Sequence, residues 1–182
     1  MTINVYELTD SKKLWFADKG TELRETILRH VARDKKRDLL KLDLREIEVT
    51  DSSFAREAFV NLITLLASEP ERPQVLFANV DENLKGNLDQ SFKEHKKFCL
   101  ILDKSGAWDL IGKFSQQSVE TVKLLLELKD AKARDIKKKL GQNIELSTVN
   151  NRLASLYEMC IVNRQAGAQE TGGIEYTYSI QL

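Results

Sequence analysis

The chain changes texture once, near residue 117, and that change limits what it can fold into. Before it, short apolar runs alternate with amphipathic stretches, the pattern of strands and helices layered on a sheet. After it come three closely spaced helical patterns and then two short β-like segments, with no returning alternation. The expectation is two domains, residues 1–103 and 118–182, joined by a connector over 104–117.

Within the first part, INVYEL (3–8) reads as a strand, and TELRETILRHVARDKK as a helix capped by Thr21 that presents Leu23, Ile27, Leu28 and Val31 on one face. DLLKLDL (38–44) suits a buried strand. FAREAFVNLITLLAS follows as a helix capped by Asp51, Ser52 or Ser53 and ended near Pro70 and Pro73. QVLFANV (74–80) and KFCLILD (97–103) are further strands around a helix with Leu84, Leu88 and Phe92 inward. In the second part Ser118 caps one helix, Gly141 closes a second and Ser147 caps a third. AGAQETGG joins the last two β segments as a hairpin loop.

Composition excludes several classes. No window approaches the roughly eighteen apolar residues of a membrane span, and charged residues interrupt the first thirty positions, so neither a membrane segment nor a signal peptide is expected and the protein reads as cytoplasmic. Cys99 and Cys160 sit in apolar stretches and read as buried hydrophobes. His30 and His95 lack metal-ligand spacing, and there is no Gly-rich phosphate loop or nucleophile elbow. Asp43 and Asp51 lie where α/β sheets place ligands, but capping and solvation account for both. No catalytic residue, metal or cofactor is therefore expected. Net charge is zero, and residues 113–182 are only mildly basic, with ten basic against eight acidic side chains.

The segment DIKKKLGQNIELSTVNNRLASLYEMCIVNR, with the β segments after it, resembles a winged helix-turn-helix over about sixty residues. Val149, Leu153 and Leu156 recur on one face, while Ser147, Thr148, Asn150, Asn151 and Arg152 are left to meet phosphates and base edges of duplex DNA. Lys132, Arg134, Lys137, Lys138, Lys139 and Arg164 are candidate phosphate contacts. Cys160 stands where winged helices commonly place a glycine. A lysine run is as readily a solvated face, and winged helices also bind proteins, so the DNA reading and a protein-interaction reading stay open. A DNA reader of this type is often a homodimer.

LLKLDLREIEVTDSSFAREAFVNLI looks like the signature of STAS-like, anti-anti-sigma-related domains, with Asp-Ser-Ser at a helix start. In such relatives the first serine is the phosphoacceptor of a partner kinase, and the matching residue is Ser52, flanked by Asp51 and Ser53. Phe54 and Ala55 stand where those relatives have glycine and leucine. The resemblance implies a histidine-kinase-like ATPase as partner. Plain helix capping is the alternative role for all three residues. The expected fold is thus an α/β STAS-like domain, a mixed sheet with helices, followed by an α+β winged-helix domain. The expected function is a non-enzymatic regulator that couples a signal to DNA binding, with an adaptor acting without DNA as the alternative.

Overall fold

The computed structural model describes residues 1–34, 36, 38–141, 143–168 and 174–182. It is a mixed α/β protein. Strands β1 (Thr2–Asn4), β3 (Leu39–Asp43), β5 (Gln74–Val80), β6 (Phe98–Asp103) and β7 (Trp108–Gly112) form one sheet in the order β1-β3-β5-β6-β7. The first four run parallel and β7 is antiparallel to β6. Helices α2 (Ala17–Arg33), α3 (Ser52–Ala55), α4 (Asn61–Leu66) and α5 (Glu82–Glu94) supply the connections. A short helix α1 (Val5–Thr9) and a two-stranded parallel pair, β2 (Lys13–Leu14) with β4 (Val49–Thr50), complete this part.

Successive side chains on a strand alternate between faces, and this sheet uses both. Val75, Phe77, Cys99, Ile101 and Ile111 face the cluster built with Leu23, Ile27, Phe59, Leu88 and Phe92. Edge-on ring contacts run from Phe54 through Phe59 and Phe77 to Phe92, with centroids 6.1, 5.4 and 5.9 Å apart. The opposite face, Leu76, Ala78, Phe98, Leu100, Leu102 and Leu110, belongs to the core of the second half. There α6 (Gln116–Leu128), α7 (Ala133–Leu140) and α8 (Leu146–Glu158) contribute Val122, Leu125, Ile136, Val149, Leu153 and Leu156. Strands β8 (Asp130–Lys132), β9 (Asn163–Ala168) and β10 (Ile174–Ser179) form an antiparallel sheet in the order β8-β10-β9.

The two halves are therefore locked across the sheet. Val75 N–H donates to the Cys160 carbonyl at 2.7 Å and the Tyr157 hydroxyl to the Pro70 carbonyl at 3.2 Å. The fully buried Gln74 side chain exchanges two hydrogen bonds with the Gln181 backbone, at 2.7 and 2.9 Å. Cys160 has φ 55°, the left-handed region where a glycine is unstrained, and its side chain packs with the first half's core. Burial pushes its thiol up to about 12, with Arg72 and Lys97 acting the other way.

Several expectations are corrected. INVYEL does not run on as a strand: β1 stops at Asn4, whose side chain accepts from Tyr6 N–H and starts α1. Thr21 is not the N-cap of α2, which begins four residues earlier; its hydroxyl bonds the Ala17 carbonyl within the helix, at 3.1 Å. The segment expected to connect the halves contains β7, whose pairing with β6 extends the first sheet. Gly112 ends that strand at φ 100°, where a Cβ would fall 2.8 Å from both Phe92 Cβ and Phe98 Cα. Ser118 is not a cap either: Ser115 accepts from its N–H at 3.2 Å. Asp130–Lys132, expected within a helical stretch, pairs with β10. The third helix starts at Leu146, which places Ser147 in its first turn rather than at the cap. Of the expected hairpin loop, residues 169–173 lie outside the described residues.

Among the described residues no helix is long and apolar enough to cross a membrane.

Candidate functional site

Two surfaces collect the residues singled out in the sequence. The first surrounds the start of α3. Asp51 is the N-cap: its carboxylate accepts from Phe54 N–H at 2.6 Å and from the Ser53 hydroxyl at 2.7 Å. Its second oxygen accepts from Phe16 N–H at 2.9 Å, tying in the segment before α2. Burial pushes the Asp51 carboxyl up, and the hydrogen bonds from Phe54, Phe16 and Ser53 outweigh it, leaving it below the usual carboxylate range. Of the three candidates, then, Asp51 caps, Ser53 is tied to Asp51, and Ser52 is exposed.

Beside this turn the structure brings up residues that sequence reasoning left unassigned. Trp15 and Phe16 are 39% and 68% exposed, and Phe16 takes φ 73°. They border a groove of about 480 Å³ with Leu8, Leu14, Leu23 and Phe54. The available signal was the adjacent aromatic pair in the charged stretch SKKLWFADKG.

Behind Ser52 the helix carries a π segment, Arg56–Val60, in which Asn61 N–H reaches the Arg56 carbonyl five residues back. The Glu57 carbonyl accepts from Arg24 Nη1 at 2.7 Å, and the Glu57 carboxylate from the same nitrogen at 3.0 Å. This clamps α2 to the helix at a point one turn from Ser52.

Asp43, the other acid noted in the sequence, is 3% exposed at the end of β3. It pairs with Arg45 and accepts from Asn79 Nδ2 at 2.7 Å. Burial pushes its carboxyl up, and the bonds from Arg45 and Asn79 bring it below its ordinary value. With its oxygens engaged this way, it holds the turn after β3 to β5.

The second surface is the outer side of α8. Ser147, Thr148, Asn150 and Asn151 are exposed, while Val149, Leu153 and Leu156 are buried. Asn150, Asn151 and Ala154 border a cleft of about 410 Å³ closed by Arg134, Ile174 and Tyr176. Arg152 does not join them. Its side chain is 18% exposed and pairs with Glu120 of α6 at 3.0 Å, because its position on the helix turns it toward α6. Arg164 is not a free cation either: its guanidinium carbon stacks 4.0 Å from the Tyr157 ring centroid and 4.3 Å from that of Tyr176.

The basic side chains of α7 divide. Lys138 is exposed and Lys137 half-buried, whereas Lys139 pairs with Glu127 at 2.7 Å. Lys132 and Arg134 pair with Glu175 at 2.8 and 3.4 Å. The structure thus groups Ser147, Thr148, Asn150 and Asn151, and sets Arg152 apart.

Among the described residues no three His, Cys, Asp or Glu side chains are grouped to hold a metal ion. Comparison of the chain with protein-family models, with curated proteins and with solved structures finds no match in any of the three.

Proposed function

We propose that the protein is a non-enzymatic, cytoplasmic regulator in which a STAS-like first half receives a signal and a winged helix-turn-helix second half binds duplex DNA. The observation that carries this reading is the division of α8. Its first two turns present Ser147, Thr148, Asn150 and Asn151 to solvent beside the β9–β10 hairpin, while its last turn is bonded through Tyr157 to Pro70 of the first half. Short polar side chains at the leading end of such a helix suit phosphate and base-edge contacts in a major groove. Lys137 and Lys138 lie on the preceding helix, where they would reach the backbone.

Fluorescence anisotropy of the intact protein with duplex DNA tests it. Binding should weaken as salt rises, with a logarithmic slope of about −0.9 per phosphate contacted. Absence of binding at low salt would refute it. A homodimer is the assembly that a two-fold operator would call for, and sedimentation in the presence of DNA reads it out.

A second reading, an adaptor that acts on a histidine-kinase-like ATPase without touching DNA, is favoured by the other surface. Ser52 is exposed on a helix whose cap is supplied by Asp51, and the uncovered Trp15 and Phe16 lie against the same turn. Phosphate on Ser52 would sit near the positive end of the helix yet beside the Asp51 carboxylate, rewriting the charge of a docking face. Intact-mass analysis after incubation with such an ATPase and ATP reads out this role, and an unmodified mass argues against it.

A further inference from the structure

Where the two halves meet, a cleft of about 280 Å³ is lined by Lys36, Arg72, Tyr157, Asn163, Arg164 and Gln165, with Asp38 and Glu71 also on its wall. Two guanidinium groups share the Tyr157 ring: Arg72 lies 4.2 Å and Arg164 4.0 Å from its centroid. Stacking of this kind holds a guanidinium by its flat face and leaves the N–H edges for another partner. Among the described residues neither arginine has a carboxylate within 4.0 Å.

Among the described residues two donors in the same cluster are buried without an acceptor, Arg72 Nε and Asn163 Nδ2. A buried donor left unpaired costs about 1–3 kcal/mol, and two cations held at one ring repel, so the arrangement is unfavourable by itself. A group that brings negative charge and several acceptor oxygens relieves both costs at once.

We propose that this cleft binds a phosphoryl oxyanion carried by a small molecule. Arg72 and Arg164 would turn guanidinium N–H groups to its oxygens, Arg164 beside its bond to Tyr178, Asn163 Nδ2 would donate to it, and Lys36 would add charge. The volume lies just under the range of about 300–1,000 Å³ usual for drug-sized ligands, which suits a phosphate or diphosphate head more than an entire nucleotide. Among the described residues on its wall, Lys36, Arg72 and Arg164 stand against Asp38 and Glu71, so the paired guanidinium groups carry the binding.

The ligand would join both halves. Arg72 precedes β5, Tyr157 lies in the last turn of α8, and Asn163 and Arg164 open β9. The same helix carries Asn150 and Asn151 two turns earlier, so occupancy would be felt where the second half meets a partner. This site does not depend on the DNA reading.

Isothermal titration of the intact protein with sodium pyrophosphate and with inorganic phosphate, against chloride at matched ionic strength, tests the proposal. Expected is saturable binding at one site, weakened about tenfold or more by Arg164→Gln and by Asn163→Asp, since each removes or opposes a charge-assisted bond. Asn163→Asp keeps the side-chain size, and a cooperative melt confirms that each variant is folded. No saturable heat at millimolar pyrophosphate, or unchanged affinity in folded Asn163→Asp, would overturn it. Loss of duplex-DNA binding in Asn163→Asp without any pyrophosphate binding would assign these donors to nucleic-acid phosphates and overturn the small-molecule site as well.

Discussion

Replacing Asp51 by alanine, beside the neighbouring Ser52→Ala, separates the residue that builds the α3 turn from the residue the turn displays. Asp51 accepts three hydrogen bonds, from Phe54 N–H, the Ser53 hydroxyl and Phe16 N–H. Loss of an N-cap costs about 1 kcal/mol, and loss of a charged acceptor for the Phe16 and Ser53 donors adds about as much again, moderated because Phe16 is exposed and its N–H can turn to water. The sum is about 2 kcal/mol, which lowers the melting temperature of a chain this long by about 4–8 °C. Ser52 is exposed and is not the cap, so Ser52→Ala should stay within about 0.5 kcal/mol. Differential scanning calorimetry of the two variants decides it. If Ser52→Ala proves as damaging as Asp51→Ala, the assignment of the cap is wrong, and with it the argument that Ser52 is free for another role.

A fragment ending at residue 114 uncovers Leu76, Phe98, Leu100, Leu102 and Leu110, so it should be insoluble or molten while the intact chain unfolds in one transition; two independently stable fragments would contradict the shared core. Gly112→Ala forces a Cβ against Phe92 and Phe98 at φ 100° and should cost about 3 kcal/mol or more by denaturant titration; a neutral effect would refute the packing at this strand end. Asp43, Asp51 and Asp81 each hold their carboxyl below the ordinary value near 3.8, so each binds a proton less readily folded than unfolded. Their stabilisation is full above that value and is lost as pH falls through the depressed folded value, so melting temperature should drop below about pH 4, less steeply in Asp51→Asn. Arg152→Ala removes its pair with Glu120 and should cost about 0.5–1 kcal/mol in stability while changing DNA affinity by less than about twofold.

The layering of helices and strands was legible because burial imposes period: Leu84, Leu88 and Phe92 recur on α5 as they must to face a sheet, and Asp81 caps that helix where the pattern begins. What the residues alone did not disclose were features decided by distant partners. WDLIG reads as a connector until β6 is available to pair with it, and DAK as helix until β10 lies alongside. Leu76 and Leu100 read as strand residues and Leu110 as part of the connector; that their shared face is covered by the second half depends on contacts far along the chain.

At the candidate sites the residue types were visible and their directions were not. Ser147, Thr148, Asn150 and Asn151 emerge together on one exposed face, while Arg152, next in sequence, points to Glu120 because each step around a helix turns the side chain by about 100°. The junction cluster was beyond reach of local reading, since Arg72, Tyr157 and Arg164 are brought together only by the fold.

The most direct test of the regulator reading compares the intact protein with its Asn150→Ala, Asn151→Ala double variant for binding to duplex DNA at two salt concentrations. The parent should bind in a salt-sensitive way and the variant about tenfold or more weakly, with the melting temperature unchanged because both side chains are exposed. Equal affinity of a folded variant and its parent would contradict the placement of α8 at the DNA, and absence of binding by either would contradict the reading itself.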